Sequence, residues 1–327
     1  MKVAIVSTSI NARPLAYEQW AEYGDLFIAG DRNAPISLET YVRSLGGMYI
    51  RPGLQDQWAF SDTIGWNCIQ RRNAAVMEAY AAGDYDYIMT VDDDNVPTGH
   101  SFMLRHLDIM SRGASEELFS SAGWVNIGDF VVPNVNQRGH PLWFMHKYTT
   151  KALIHPEPIV VSQAPIVGIP DCDAVTRITT NPSVDHASRD VVVSNSCYAP
   201  FNSQATIWQR DWAPLIACLP GVGRYDDIFA SFIAQRLMRV RKVHLHVGGP
   251  AVFQDRNPHD YMKDLQNELF GMKHTYEVTN RLDHVVLPAD VDLPTMYRAC
   301  ALALMGLLPH QTIRFMEEWA DDWERSS

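Results

Sequence analysis

The amino-acid sequence predicts an α/β fold whose sheet begins with parallel strands joined by crossover helices. Over the first hundred residues, short apolar runs (KVAIVS, LFIAG, MYI and YIMTV) alternate with amphipathic stretches. Strand-sized apolar runs that alternate with helix-sized periodic segments are typical of βαβ units. We therefore expect a Rossmann-like sheet flanked by helices. The apolar periodicity predicts one helix over residues 63–82, which leads into a strand at residues 87–91.

The remainder of the chain predicts mixed strands and loops, followed by helices. Residues 123–194 are rich in Pro, Val and Asn, and residues 221–240 are typical of a loop that enters a helix. Residues 242–254 (KVHLHVGGPAVFQ) favour a strand, and helical periodicity returns from about residue 258. We expect one domain over residues 1–257, with halves at 1–97 and 98–257, and a helical C-terminal tail over residues 258–327.

The composition favours a folded domain without a disulfide framework. Hydrophobic residues make up 46% of the 327 residues, enough for a substantial core. The five cysteines are scattered and show no CxxC spacing, which argues against both disulfides and a thiolate metal site. The formal charge of -11 opposes non-specific attraction to nucleic acid or anionic membranes.

The N-terminal sequence and the hydropathy pattern predict a cytoplasmic location. MKVAIVSTSI lacks the charged, apolar and small-residue regions of a secretory signal, and no run of eighteen apolar residues occurs. We therefore expect no membrane insertion. The sequence leaves the oligomeric state undefined.

Three consecutive carboxylates give the strongest functional signal. Asp92, Asp93 and Asp94 directly follow the apolar run YIMTV. The carboxyl ends of strands in open α/β sheets border the crevice where ligands bind. Adjacent carboxylates repel one another unless a cation lies among them, and Mn²⁺ or Mg²⁺ bridging to a diphosphate would supply one. We expect Asp92 and Asp94 to make the metal and nucleoside contacts, with a solvated acidic turn as the alternative.

The residues around this triplet resemble the donor-binding half of GT-A glycosyltransferases. In that family an arginine near the diphosphate and a D-x-D-type motif frame the nucleotide sugar. Here Arg71 and Arg72 precede the acidic strand, Ser7 and Thr8 end the first apolar run, and Asp31 follows LFIAG. By itself, Asp31 is also typical of a turn. The resemblance implies that the donor is bound by Ser7, Thr8, Asp31, Arg71, Arg72, Asp92 and Asp93.

A narrower similarity points to the reversibly glycosylated polypeptides, which are plant UDP-arabinopyranose mutases built on a GT-A fold. It rests on four segments that occur in the family's order and together cover roughly residues 65–270. They are TVDDD, QRGHP (residues 137–141), VSQAPIVGIPDCDAVTR (residues 161–177) and GRYDD (residues 223–227).

This similarity assigns roles to three further residues. It implies that Arg138 is the arginine that becomes reversibly glycosylated and that Asp226 and Asp227 are the acidic pair on the acceptor side. Physical chemistry leaves alternatives open. The planar donor fork of Arg138 suits a clamp on diphosphate, and one of the two carboxylates could cap the helix that follows.

The sequence departs from the family pattern at the third metal ligand and at the sugar site. Gln254 stands where the family has a histidine, so the expected metal ligands are Asp92, Asp94 and Gln254, with His246 or His244 of the same predicted strand as substitutes. The aromatic residue before I-P-D is replaced by Val167 and Gly168.

The leading hypothesis is a metal-dependent glycosyltransferase. It would transfer a sugar from a nucleotide-diphosphate donor, with UDP-sugar favoured, to a hydroxyl of a sugar, a lipid-linked glycan, a protein or a modified nucleobase. The runner-up is a nucleotide-sugar mutase that glycosylates itself at Arg138. A non-catalytic nucleotide-sugar binding protein is the third hypothesis. A nucleotidyltransferase is disfavoured because no glycine-rich loop follows the first strand.

Overall fold

A computed structural model describes residues 1–113, 116–144, 158–187, 189–255 and 260–327, together with the backbone of residues 149–152. The described part contains strands in three sheets and helices on both faces of the largest one. In chain order, the strands are β1 (Val3–Thr8), β2 (Asp25–Ala29), β3 (Met48–Ile50), β4 (Tyr87–Val91), β5 (Asn95–Pro97), β6 (Glu116–Phe119), β7 (Val131–Val132), β8 (Thr149–Ala152), β9 (Ile159–Gln163), β10 (Ile166–Gly168), β11 (His186–Ala187), β12 (Val191–Val193), β13 (Ala205–Gln209), β14 (His244–Val247) and β15 (Val252–Gln254).

The helices surround this sheet and continue to the end of the chain. They are α1 (Ala16–Trp20), α2 (Ile36–Ser44), α3 (Pro52–Gln55), α4 (Ser61–Ile64), α5 (Arg72–Ala81), α6 (Phe102–Arg112), α7 (Ala174–Thr180), α8 (Asp226–Arg241), α9 (Tyr261–His284), α10 (Leu293–Leu304) and α11 (His310–Ser326). Among the described helices, none combines the length and the apolar character that crossing a membrane requires.

The largest sheet has a parallel half and a mixed half. Its strand order in the described residues is β3-β2-β1-β4-β13-β9-β14-β12-β6-β8. The first four strands are parallel, as the alternating apolar runs predict, and β13 then pairs antiparallel with both β4 and β9. The predicted fold class is confirmed: a mixed α/β sheet is flanked by helices and followed by a helical C-terminal tail.

Alternating side chains of the sheet enter two apolar clusters. On β4, Ile88 belongs to one cluster, whereas Tyr87 and Met89 belong to the other, because successive side chains of a strand point to opposite faces. The first cluster extends from Ala4 of β1 to Trp323 of α11. The C-terminal helices therefore share the core of the residues that precede them.

Two segments differ from the sequence-based prediction. The helix predicted over residues 63–82 is wrong in its first half, because Gly65 (φ 73°) and Asn67 (φ 60°) take left-handed backbone conformations that no α-helix continues. Residues 242–254 do not form one strand either. Gly248 (φ 133°) and Gly249 (φ 79°) turn the chain, so β14 joins the large sheet and β15 joins a small sheet with β5 and β10.

Candidate functional site

A cavity of about 460 Å³ opens at the carboxyl end of β4, where the large sheet passes from its parallel to its mixed half. Its volume lies within the range typical of small-molecule sites. The lining comes from residues far apart in sequence, namely Cys68, Ile69, Gln70, Arg72, Asp92, Asp94, Arg138, Asp171, Ser203, Gln204, Gly223, Arg224, Asp226, Asp227, Gln254 and Asn267.

The three carboxylates of the acidic triplet do not all face the cavity. Asp92 and Asp94 line the cavity. Asp93 lies outside the lining and accepts hydrogen bonds from the Ser9 hydroxyl and, at 3.0 Å, from Asn11 Nδ2. Burial raises the pKa of the Asp93 carboxyl. The structure therefore brings the first and third carboxylates to the same space and uses the second to hold the loop after β1.

The two adjacent arginines, Arg71 and Arg72, also point to different places. Arg72 Nη2 donates to Asp92 at 2.7 Å and Nη1 donates to the Ser203 carbonyl at 2.6 Å, so its guanidinium borders the cavity. Arg71 is fully buried away from the lining. It donates to the Gly65 carbonyl at 2.7 Å and lies over the Trp66 ring at 3.7 Å. Only Arg72 lies where a donor phosphate could reach it.

The other three residues expected at the donor are engaged elsewhere in the structure. Ser7 donates to the Val91 carbonyl at 2.8 Å, and Thr8 donates to the Ala29 carbonyl at 2.8 Å, so both hydroxyls tie neighbouring strands together. Asp31 accepts backbone N–H groups of residues 32, 67 and 68 and anchors the loop before α5. None of the three belongs to the residues that line the cavity.

Gln254 lies beside Asp94 in the cavity lining. Its Nε2 donates to Asp94 at 3.2 Å, because β15 pairs antiparallel with β5 and sets Gln254 opposite Asn95. Its Oε1 is buried and has no hydrogen-bond partner in the described part of the chain. Amide and carboxylate oxygens are ligands that hard divalent cations prefer. No group of three His, Cys, Asp or Glu side chains suited to a metal occurs among the described residues. The oxygen atoms of Asp92, Asp94 and Gln254 therefore suit a cation that also takes ligands from a bound substrate.

The two histidines expected as substitutes for Gln254 lie on a different strand from it. His246 Nδ1 is 2.8 Å from the Ser162 hydroxyl, and its Nε2 is 3.5 Å from Asp190 Oδ1. His244 hydrogen-bonds with Asn195 at 3.2 Å. The expectation that both histidines share a strand with Gln254 is wrong, since the turn at Gly248 and Gly249 separates β14 from β15, and neither histidine lines the cavity.

Arg138, a further lining residue, is held between two carboxylates. Its Nε and Nη2 donate to Asp171, with the shortest distance 2.8 Å. Its Nη1 and Nη2 donate to Asp227 at 3.0 and 3.4 Å, and Nη1 also donates to the Arg224 carbonyl. Each of its five N–H groups therefore has a protein partner. The two carboxylates raise the pKa of Arg138 despite the opposing effect of burial.

Asp226 and Asp227 begin α8 but have different surroundings. Asp227 accepts from the Ser203 backbone N–H at 3.0 Å and its hydroxyl at 3.1 Å, in addition to Arg138. Asp226 lines the cavity and accepts from Gln70 Nε2 at 2.8 Å. Burial, and then the neighbouring Asp227 carboxylate, raise the pKa of Asp226 to about 7. Of the pair, Asp226 has the character of an acid–base group.

The sequence did not single out several residues of this wall. Asp171 is buried within the GIPDCDA segment and bridges toward Arg138 and Arg224. Glu268 of α9 accepts from Arg224 Nε at 3.0 Å, so the C-terminal tail contributes to the site. Gly223 (φ 63°) permits this approach, because a side chain there would collide with the backbone of Asn267. The GIPDCDA motif was a signal for Asp171, whereas nothing local marks Glu268.

Comparisons with known proteins give weak structural likenesses. No protein-family model matches the chain, and no curated protein matches its sequence significantly. Glucosyl-3-phosphoglycerate synthase from Mycobacterium tuberculosis, in complex with Mn²⁺, UDP and glucosyl-3-phosphoglycerate, has a TM-score of 0.46 at 9% identity and covers 84% of this chain and 79% of its own. The same enzyme with Mn²⁺ and UDP-glucose has a TM-score of 0.45 at 11% identity, over 84% and 78% of the two chains. A197 from STIV has a TM-score of 0.36 at 11% identity, over 79% and 87%. Because these TM-scores and identities are low, any proposal about the activity of this chain has to be argued from its own residues.

Proposed function

We propose that this protein is a metal-dependent glycosyltransferase of the GT-A type that takes a sugar from a nucleotide-diphosphate donor, such as a UDP-sugar, and transfers it to a hydroxyl group. One observation carries the proposal: a pair of carboxylates suited to a cation and a carboxyl suited to proton transfer line the same cavity at the carboxyl end of β4. We assign two groups of its lining residues to the two substrates and call them the donor wall (Arg72, Asp92, Asp94, Gln204 and Gln254) and the acceptor wall (Arg138, Asp171, Arg224, Asp226 and Asp227).

The donor wall would hold the diphosphate through Mn²⁺ or Mg²⁺. Asp92, Asp94 and the unpartnered Oε1 of Gln254 supply oxygen ligands. When bound, the cation stabilises the negative charge that develops on the departing diphosphate. Arg72 adds a buried positive charge beside Asp92, and its Nε is a buried donor without a partner among the described residues. Both atoms belong to residues that line the cavity.

The acceptor wall would supply the base. As the acceptor oxygen attacks the anomeric carbon, its proton passes to the Asp226 carboxylate and the bond to the diphosphate breaks. A base whose pKa lies near the working pH combines a usable deprotonated fraction with adequate basicity, and Asp226 meets that condition. Gln70 orients its carboxylate through a hydrogen bond. Asp227 instead fixes Arg138 and Ser203 in place.

The geometry favours transfer over the mutase alternative. A sugar-carrying Arg138 would have to lose a proton, yet the flanking carboxylates stabilise its protonated form. A role as a diphosphate clamp would need a donor that is not already engaged, and all five N–H groups have partners. We propose that Arg138 positions Asp171 and Asp227 instead.

Turnover of the donor tests the proposed function. Purified protein is incubated with a panel of nucleotide sugars with and without Mn²⁺, and release of the nucleoside diphosphate is measured with and without hydroxyl acceptors. We expect slow release to water with at least one donor, faster release with an acceptor, and loss of both in excess chelator. Rapid ring isomerisation without an acceptor, together with a sugar adduct on Arg138 in intact-protein mass spectrometry, would support the mutase instead. No turnover of any donor would refute the proposal.

A further inference from the structure

The charges around the cavity restrict the acceptor. We infer that the part of the acceptor that enters the cavity carries a hydroxyl and no anionic group, as in a neutral saccharide or a hydroxyl side chain. This inference deepens the proposed function and rests on it, since it names the substrate class of the same site.

Acidic side chains outnumber basic ones in the described lining. Five carboxylates line the cavity (Asp92, Asp94, Asp171, Asp226 and Asp227), whereas Arg72, Arg138 and Arg224 are the only cationic side chains among the described lining residues. With every carboxylate ionised, these side chains carry a net charge of three minus five, or -2. Asp264 and Glu268, which contact Arg224 from α9, add two further negative charges.

Each of the three arginines is already paired. Arg72 lies 2.7 Å from Asp92, and Arg138 lies between Asp171 and Asp227. Arg224 is 3.0 Å from Glu268, 3.4 Å from Asp264 and 3.6 Å from Asp171. A phosphate or carboxylate of an acceptor that displaced one of these carboxylates would leave a buried anion without its cation. Breaking a buried pair in this way is strongly unfavourable.

The repulsion of anions does not apply to the donor in the same way, because its diphosphate would enter with a divalent cation. An acceptor brings no counterion of its own, so any anion on it would face Asp226 and the carboxylates beside it. Juxtaposed like charges disfavour a partner strongly, which is a usual basis of specificity.

The uncharged polar lining suits hydroxyl groups. The uncharged polar residues of the lining with side-chain amides are Gln70, Gln204, Gln254 and Asn267. An amide offers both donors and an acceptor, as each hydroxyl of a polyol requires. Gln70 hydrogen-bonds to Asp226 at 2.8 Å, so one of these amides adjoins the proposed base.

Matched pairs of acceptor probes test the inference. Methyl glycosides are compared with the corresponding uronates and sugar phosphates, and end-blocked serine peptides are compared with their glutamate-flanked versions. We measure the rate of nucleoside diphosphate release at saturating Mn²⁺, with a donor on which the protein is active, and subtract the rate without acceptor. We expect the neutral member to be favoured in kcat/KM by about tenfold or more in at least one pair, a difference that corresponds to about 1.4 kcal/mol.

Two charge variants on α9 sharpen the test. Asn267 is exposed and lines the cavity, whereas its neighbour Gln266 is exposed and lies outside the lining. Asn267→Lys should raise kcat/KM for the anionic probes and so reduce the preference for the neutral ones. Gln266→Lys adds the same charge outside the lining and should leave the preference unchanged.

The outcomes distinguish the inference from the proposed function. Absence of donor turnover refutes the proposed function. Donor turnover with no preference in any pair, or with a preference for the anionic member, overturns the inference alone. An equal response to Asn267→Lys and Gln266→Lys would also overturn it, since the preference would then arise outside the cavity.

Discussion

Arg138 on the acceptor wall has a partner for each of its five N–H groups, whereas on the donor wall Arg72 Nε and Gln254 Oε1 are buried without a partner among the residues that the structure describes. A buried polar atom that lacks a partner costs about 1–3 kcal/mol. The Arg138 guanidinium is therefore satisfied without a ligand. The donor wall keeps two unsatisfied polar atoms, and we therefore expect a bound ligand to stabilise the donor wall more than the acceptor wall.

The largest effect is expected from Asp226→Asn. The amide keeps the shape of the side chain but cannot take a proton, so kcat should fall by about 10²–10⁴, the range typical of a lost general base. Donor affinity should change little, because the substitution lies on the acceptor wall. Steady-state kinetics with separate donor titration checks both. A variant that keeps wild-type kcat would remove Asp226 from the mechanism.

The next largest effect is expected from Asp94→Ala. It removes a carboxylate of the donor wall and the partner of Gln254, so metal-dependent turnover should fall by about 10²–10³, as for other electrostatic contacts to developing charge. Asp93→Asn is the matched control, since Asp93 faces Ser9 and Asn11. Equal losses in both variants would show that the triplet acts through loop structure and not through a cation.

Arg72 and Arg71 should separate binding from stability. Arg72→Ala should weaken donor binding by about 1.5–3 kcal/mol, the range for hydrogen bonds to charged groups. Arg71→Met should leave donor affinity unchanged and lower the free energy of unfolding, because the Gly65 and Ser61 carbonyls lose their donor. Calorimetric titration and urea denaturation measure the two effects. Weaker donor binding in the Arg71 variant would place that residue in the site.

A smaller effect should appear in the pH dependence of stability. The folded-state pKa of Asp226 is raised to about 7, so between the pKa of an unfolded aspartate and pH 7 the folded state binds more protons than the unfolded state. The contribution of Asp226 to stability therefore decreases as the pH rises through this window. Asp226→Asn should raise the melting temperature relative to wild type at pH 8 and have little such effect near pH 4. The opposite pH trend would mean that Asp226 is stabilised as a carboxylate.

The sequence predicts the fold of this chain better than its site contacts. The boundaries of β4 follow from its apolar run, and the helix after Asp226 follows from its periodicity. The errors occur at Gly65 and at Gly248, where positive backbone φ angles break a continuous pattern. Asp92, Asp94 and Asp226 can be predicted because they follow or begin regular elements. The contacts of Arg138 with Asp171 and of Arg224 with Glu268 join distant segments, and no local pattern specifies such pairs.

Metal-dependent donor binding can be measured through the thermal stability of the protein with a UDP-sugar and Mn²⁺, added together and separately. A ligand that binds only the folded state at a hundred times its Kd stabilises it by about 2.7 kcal/mol. We expect a clear rise in the melting temperature when donor and Mn²⁺ are both present, a much smaller rise with either alone, and loss of the joint effect in Asp94→Ala. A rise that persists in excess chelator, or that is unchanged in Asp94→Ala, would contradict metal-dependent donor binding.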